Sequence, residues 1–142
     1  MSYLKTRQAL VTQFLATTVT GLTINDIETD NEFFDPANKS MWVSLAVIPA
    51  SSQSIGKAYT DNNEDRGIFQ VSVFFPVNVK DRAILSTTAV DQIRAGFQFN
   101  SESMYNGQAV SMQDTTVNRG RLSEAWFQTD ISINYLTFSS RG

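Results

Sequence analysis

The sequence predicts a single α+β domain over residues 1–142, in which a mixed, mostly antiparallel β-sheet of four to five strands packs with two α-helices. Its 142 residues are the usual length of one domain. Two segments repeat apolar residues at helical spacing, and several others alternate apolar and polar residues as strands do. A hydrophobic content of 42% with only 18% charged residues suffices for a core.

The first predicted helix begins after Ser2, a plausible N-cap, and runs to about Thr17. Its expected apolar face is formed by Leu4, Val11 and Leu15, with Leu10 and Phe14 beside them. A β-branched run followed by Gly21 then ends the helix. The next segment, Leu22–Glu32, is ambiguous, and an additional strand near Leu22–Thr29 is possible.

Two strands are predicted on either side of a long polar stretch. Met41–Ile48 is apolar on both sides, which favours a central strand that Pro49 ends. The residues 50–66 are polar and poor in strand formers, and we expect a long mobile loop there. Gly67–Phe75 is the second strand and ends at Pro76. The side chains that we expect to face the core from it are Phe69, Val71, Val73 and Phe75.

The second half of the chain predicts a helix followed by two strands. Asp81 or Asn78 can cap the helix, which is expected to reach Gly96. Its apolar stripe is Leu85, Ala89, Ile93 and Phe97. The strands are Gln108–Thr116, which follows an Asn-Gly turn, and Glu124–Phe138, which follows a turn at residues 118–121. The predicted order is therefore α-β-β-α-β-β, with the possible extra strand after the first helix.

The composition excludes several classes of function. There is no Cys and no His, which removes Cys/His zinc sites and Ser-His-Asp or Cys-His catalysis. The net charge is −3 and the basic residues are scattered, so specific DNA binding is not expected. No apolar run reaches the ~20 residues of a membrane span, and no signal peptide is recognisable. We therefore expect neither an enzyme nor a cofactor nor a membrane partner.

Three polar patterns in the sequence partly match known kinds of functional site. Asp61-x-Asn63-x-Asp65 imitates a calcium loop, but Arg66 and Ser72 stand where that loop needs Gly and Glu. A second pattern is an acidic row that we interpret as a solvated or lumen-facing rim, formed by Asp26, Glu28, Asp30 and Glu32. Arg119 and Arg121 on one turn are too few for a phosphate footprint.

Trp126 lies on the side of the last strand that faces away from the predicted core, among uncharged polar residues. Such a surface suits protein contact. The alternative is that a second layer covers it, and the sequence leaves both interpretations open.

The chain resembles the tail terminator proteins of long-tailed, siphovirus-like bacteriophages. The resemblance depends first on Arg66–Pro76, where a glycine-led strand with Phe-Gln-Val and a closing proline follows a polar loop. The helix segment 88–93 ending at Phe97 and the closing strand from Trp126 to Tyr135 support it. The resemblance spans nearly the whole chain but has no single diagnostic motif.

The resemblance implies a structural virion protein, assembled in the host cytoplasm. Such a protein forms a ring, usually of six subunits, that caps the tail tube, stops its polymerisation and offers a surface to the head-tail connector. Genomic DNA passes through the lumen without specific binding. The residues that we expect at the assembly interface are Lys57, Tyr59, Asp61, Glu64, Asp65, Arg66, Arg119, Arg121 and Trp126.

Two alternatives stay open from the sequence alone. One is another phage neck or tail component, such as a tail completion protein or a tail tube subunit, and the tube subunit would form open-ended tubes. The other is a small α+β ligand-binding module or enzyme, which would be a stable monomer with a deep pocket.

Overall fold

A computed structural model describes residues 3–29, 39–54, 62–77, 81–105, 107–123 and 125–140. In these ranges the chain forms two α-helices and a seven-stranded sheet. The helices are α1 (Tyr3–Ala16) and α2 (Arg82–Gly96). The strands are β1 (Ile27–Thr29), β2 (Trp42–Ser54), β3 (Asn62–Pro76), β4 (Glu102–Tyr105), β5 (Gln108–Val117), β6 (Arg121–Ser123) and β7 (Trp126–Ser140).

The sheet is mixed and mostly antiparallel, which confirms the predicted α+β class. Its strand order is β1-β2-β3-β7-β5-β4, with β6 paired to β7, and only β1 and β2 run parallel. The predicted number of four to five strands was too low. The additional strands β4 and β6 have four and three residues, too few for an alternating pattern to be recognised. The extra strand considered after the first helix is β1.

The two central strands extend through much of the segment that was expected to be a loop. Residues 50–54 lie in β2 and residues 62–66 lie in β3, and Ser51 pairs with Arg66. Pro49 does not end β2, because the ladder shifts register between Pro49 and Ser51. Such a bulge is a place where a residue without an N–H is tolerated in a sheet. Residues 55–61 lie outside the described residues.

The core lies between one face of the sheet and both helices, as the cluster of buried side chains shows. The predicted inward residues of β3 are confirmed, since Phe69, Val71 and Val73 are fully buried and Phe75 is 5% exposed. On β7 the core-facing buried residues alternate in the same way, and they are Thr129, Ile131, Ile133, Tyr135 and Thr137. Asp130 is also buried, on the other side of the strand.

Each helix turns a slightly different face to the core than its apolar pattern predicts. Leu4 and Leu15 of α1 are 64% and 49% exposed, whereas Thr6 is buried. Thr6 is inside because its Oγ1 accepts a hydrogen bond from Nε2 of Gln108, at 2.6 Å. The buried residues of α1 are Thr6, Ala9, Leu10 and Phe14.

In α2 the residues Ala89, Ile93 and Phe97 are buried as predicted, but Leu85 is 42% exposed. Ser86 replaces it in the interior, because the Ser86 and Thr129 hydroxyls are hydrogen-bonded at 2.8 Å. Asp81 stands at the predicted N-cap position, yet its backbone is left-handed (φ 61°) and its side chain caps no N–H of the described helix.

The segment after α1 does not form the extended acidic row that the sequence suggested. Ile24–Asp26 is a short 3-10 turn, and only Ile27–Thr29 is a strand. Because the turn breaks the alternation, Asp26 and Glu28 do not share one side of a strand. Asp30 and Glu32 lie outside the described residues.

Candidate assembly surfaces

The sheet has one face that neither helix covers, which we call the open face. It consists of the side chains that alternate with the core residues along the central strands. They are Trp42, Ser44, Ala46 and Ile48 on β2, Ile68, Gln70, Ser72 and Phe74 on β3, and Trp126, Gln128, Asp130, Ser132, Asn134 and Leu136 on β7. Half of these residues are polar and half are apolar, and Asp130 is the only charged one among them, so the open face is mixed, with its large apolar groups at its two ends.

An aromatic cluster occupies one end of the open face. The rings of Trp42 and Phe74 stack with centroids 3.9 Å apart, and Trp126 meets Trp42 edge-on at 5.9 Å. Trp42 is only 9% exposed as a result. The two interpretations left open for Trp126 are therefore resolved in part: no described helix covers it, and its ring packs within its own sheet.

Next to this cluster, Asp130 is the centre of a buried polar network. Its carboxylate accepts hydrogen bonds from Ser72 Oγ at 2.7 Å, Gln128 Nε2 at 2.8 Å and Arg121 Nη1 at 2.7 Å. Burial alone would raise the pKa of Asp130, but these hydrogen bonds and the Arg121 charge outweigh it and lower the pKa. Arg121 therefore serves an intramolecular ion pair that holds β6 against β7.

The acidic residues near β1 have separate roles. Glu28 accepts a 3.3 Å hydrogen bond from Ser44 Oγ, which places Glu28 at the edge of the open face. Asp26 lies on the 3-10 turn, where Lys39 Nζ is 3.1 Å from its carboxylate. Partial burial would raise the pKa of Asp26, but hydrogen bonds from Thr23 and Lys39 lower it.

The other residues expected at the assembly interface are scattered over the molecule. Arg66 is exposed and pairs with Glu64 at 2.6 Å, whereas Asp65 is only 4% exposed. Arg119 is exposed in the short connection between β5 and β6. Lys57, Tyr59 and Asp61 lie outside the described residues. Arg66 and Arg121 are thus both paired with carboxylates of the same chain, Arg66 with Glu64 and Arg121 with Asp130.

A cavity beside α2 was not found from the sequence. It has a volume of about 240 Å³ and lies between the first half of α2 and the ends of β5 and β7. Its walls include Ala83, Thr87 and Val90 of the helix and Val117 and Phe127 of the sheet. The only sequence signal was the run of small residues at positions 83, 86, 87 and 90, which the Leu85 stripe obscured.

No site for metal or membrane emerges from the described residues. Asp65 belongs to a strand, and no three Asp or Glu side chains of the described ranges come close enough to hold a metal ion. Neither described helix is long and apolar enough to cross a membrane.

The fold and these surfaces define an α+β protein with an open sheet face, a polar network centred on Asp130 and a cavity beside α2. The family described as phage tail terminator protein matches residues 5–135, and the chain belongs to this family. The family is structural, which indicates a protein of the phage virion that associates with other tail or head components.

A comparison with solved structures supports the fold. A solved structure without a descriptive name has a TM-score of 0.67 and 20% sequence identity, covering 92% of this chain and 94% of that one. At this identity the likeness shows the fold alone. No curated protein matches the chain.

Proposed function

We propose that this chain is the ring-forming tail terminator of a long-tailed phage. Six copies close into a ring that caps the tail tube, stops its polymerisation and provides the attachment surface for the head-tail connector. The match to the tail terminator family over residues 5–135 carries the proposal. Assembly takes place in the host cytoplasm before the tail joins the head.

The open face suits the lumen of such a ring. Its buried charge is compensated, because Asp130 is paired with Arg121, and its remaining groups are mainly uncharged. Glu28 adds negative charge at its edge. A surface without excess basic charge gives a DNA backbone nothing to bind, so DNA moves through it without sticking.

The outer surfaces are then left for neighbours and partners. Arg119 is an exposed basic residue of the expected interface on the connection between β5 and β6, and we propose that it contributes to contacts between subunits or with the tube. Arg66 is paired with Leu136 across β3 and β7 and so lies on the open face, where Glu64 compensates its charge. A contact between two different surfaces of one chain makes a ring when its rotation closes and an open filament when it does not. Capping needs closure, together with one ring face that refuses a further tube ring.

Negative-stain electron microscopy of the purified protein, alone and with its tail tube protein, tests the function. The expected images show rings at the ends of tubes, and tubes of limited length. Open tubes formed by this chain alone would identify a tube subunit instead. Normal tails joined to filled heads in particles that lack this protein would reject the terminator function.

A further inference from the structure

The lining of the cavity beside α2 suits an apolar side chain. The three hydroxyl groups in its wall are already hydrogen-bonded: the Ser86 and Thr129 hydroxyls bond each other at 2.8 Å, and Thr87 Oγ1 donates to the Ala83 carbonyl at 2.8 Å. Asn118 adds one amide at the rim. The remaining wall includes Val90, Val117 and Phe127. An apolar cavity gains dispersion contacts when an apolar group fills it, and it offers water few hydrogen bonds.

The size of the cavity suits an aromatic ring. An apolar protein cavity of about 150 Å³ is enough for benzene. The cavity beside α2, at about 240 Å³, is larger than that. Gly120 leaves room for the Phe127 ring in one wall, because a Cβ at this position would overlap the ring and displace it.

The same chain presents an aromatic side chain of the required kind. Phe99 is 66% exposed and follows the last turn of α2. A closed turn holds it, because Ser101 N donates to the Gln98 carbonyl at 3.0 Å and Asn100 N donates to the Met112 carbonyl at 2.7 Å. A turn whose backbone is held in advance loses less conformational entropy when a side chain on it binds.

The charges around the two features are complementary. Beside Phe99 the groove between α2 and β5 carries two carboxylates, Asp91 and Asp114, and one guanidinium, Arg94. At the cavity the exposed Arg119 stands between the wall residues Asn118 and Gly120. Such charges orient an encounter more than they strengthen it.

We propose that Phe99 of one copy fills the cavity beside α2 of the next copy, and that this contact repeats head to tail around the ring. The cavity lies along the first half of α2, and Phe99 lies beyond the C-terminal end of α2. Each copy can therefore insert its Phe99 side chain into one neighbour and accept the Phe99 side chain of the other neighbour. The inference rests on the proposed ring and names the contact between its subunits.

Two pairs of variants test the contact. Phe99→Ser removes the inserted ring, and Phe138→Ser, at a residue 48% exposed on another surface, is its control. Thr87→Phe fills the cavity from within. Thr88→Phe is its control, because Thr88 is also exposed and bonds back to the helix in the same way, at 2.8 Å, but does not line the cavity.

Sedimentation velocity over a concentration series, alone and with the tube protein, gives the association constant for each variant. We expect Phe99→Ser and Thr87→Phe each to weaken self-association at least about tenfold, as loss of an interface anchor does. Both controls should associate like the wild type. Circular dichroism melts show that all four variants are folded.

Cross-linking shows which surfaces meet. The chain has no Cys, so Gln98→Cys combined with Asn118→Cys places the only two thiols beside the proposed contact. A short bis-maleimide should give a ladder of products up to the ring number. A ladder that stops at dimers, or no cross-link at all, would overturn the head-to-tail contact.

The outcomes separate this inference from the proposed function. Rings that cap tubes normally in both Phe99→Ser and Thr87→Phe would reject the contact and leave the terminator function standing. Rings that form but no longer bind the tube would assign the cavity to the tube protein, which also rejects the inference. A wild-type protein that stays monomeric with and without the tube would reject both.

Discussion

The two faces of the sheet differ in the interactions that stabilise their side chains. On the covered face, side chains such as Phe69 and Ile133 are fully buried under two helices, so hydrophobic burial dominates. On the open face, alternate residues of the same strands, such as Gln70 and Ser132, remain partly exposed. The covered face therefore supplies most of the stability, and the open face adds the local contribution of the Asp130 network. We propose that the open face serves the passage of DNA.

The largest effect should come from the covered face. Phe69→Ala leaves a cavity in the core and should lower the free energy of unfolding by about 3–5 kcal/mol. Gln70→Ala, one residue along β3, should change it by less than about 0.5 kcal/mol. Urea denaturation followed by circular dichroism measures both free energies of unfolding. Similar values for the two variants would mean that the covered face does not contribute more to stability than the open face.

A smaller loss in the free energy of unfolding is expected at Gly67, where β3 packs tightly against a side chain of β7. Gly67 lies under the Tyr135 side chain, and a Cβ there would come within 2.6 Å of the Ile48 carbonyl oxygen. Gly67→Ala should therefore lower the free energy of unfolding by about 1–3 kcal/mol through overpacking. Ser132→Ala on the open face is the control. A neutral Gly67→Ala variant would show that the sheet yields at this point.

The polar network of the open face should give an effect that depends on pH. Asp130→Asn weakens hydrogen bonds to a charged acceptor and should cost about 1.5–3 kcal/mol at pH 7. The pKa of Asp130 is lowered in the folded protein, so its ionised form contributes stability above the unfolded pKa of about 3.9. That contribution is lost as pH falls through the folded pKa.

Urea denaturation at pH 7 and near pH 3 measures this difference. The gap between wild type and Asp130→Asn should narrow at the lower pH, because below about 3.9 the unfolded wild type takes up a proton at Asp130 that the folded protein, with its lowered pKa, binds less readily. A gap that is independent of pH would mean that the ionised carboxylate is not what stabilises this end of the sheet.

The smallest effect on stability, and a distinct effect on function, should follow from charge added to the open face. Gln70→Lys with Ser132→Lys places two cations side by side, since these residues are paired across β3 and β7. We expect a change within about 1 kcal/mol in unfolding, and retention of DNA by the ring that weakens with salt. Lysines at the exposed Thr88 and Ala95 of α2 serve as the control. Equal retention by both variants would place the open face away from the lumen.

Much of the fold followed from local patterns in the sequence. The alternation in Phe69–Phe75 identified a strand and its buried side correctly, because side chains in a strand must point to opposite faces. The spacing of Ala89, Ile93 and Phe97 likewise identified the buried side of α2 and of the residue that follows it. The Asn-Gly pair correctly predicted a tight turn, in which Gly107 adopts φ 84°. The sequence left the backbone of Leu22–Glu32 ambiguous, and the structure places a 3-10 turn at Ile24–Asp26, so Asp26 and Glu28 do not belong to one extended row.

The sequence by itself determined the α+β class, the two helices, the four main strands and the family resemblance, since each depends on periodicity and short-range chemistry. Only the tertiary structure decided that Thr6 and Ser86 are inside while Leu4 and Leu85 are outside, because their hydrogen-bond partners, Gln108 and Thr129, are distant in sequence. The extension of β2 and β3 past Pro49, the pairing of Arg121 with Asp130 and the cavity beside α2 likewise arise between segments that meet only when the chain is folded. Local patterns carry no information about such partners.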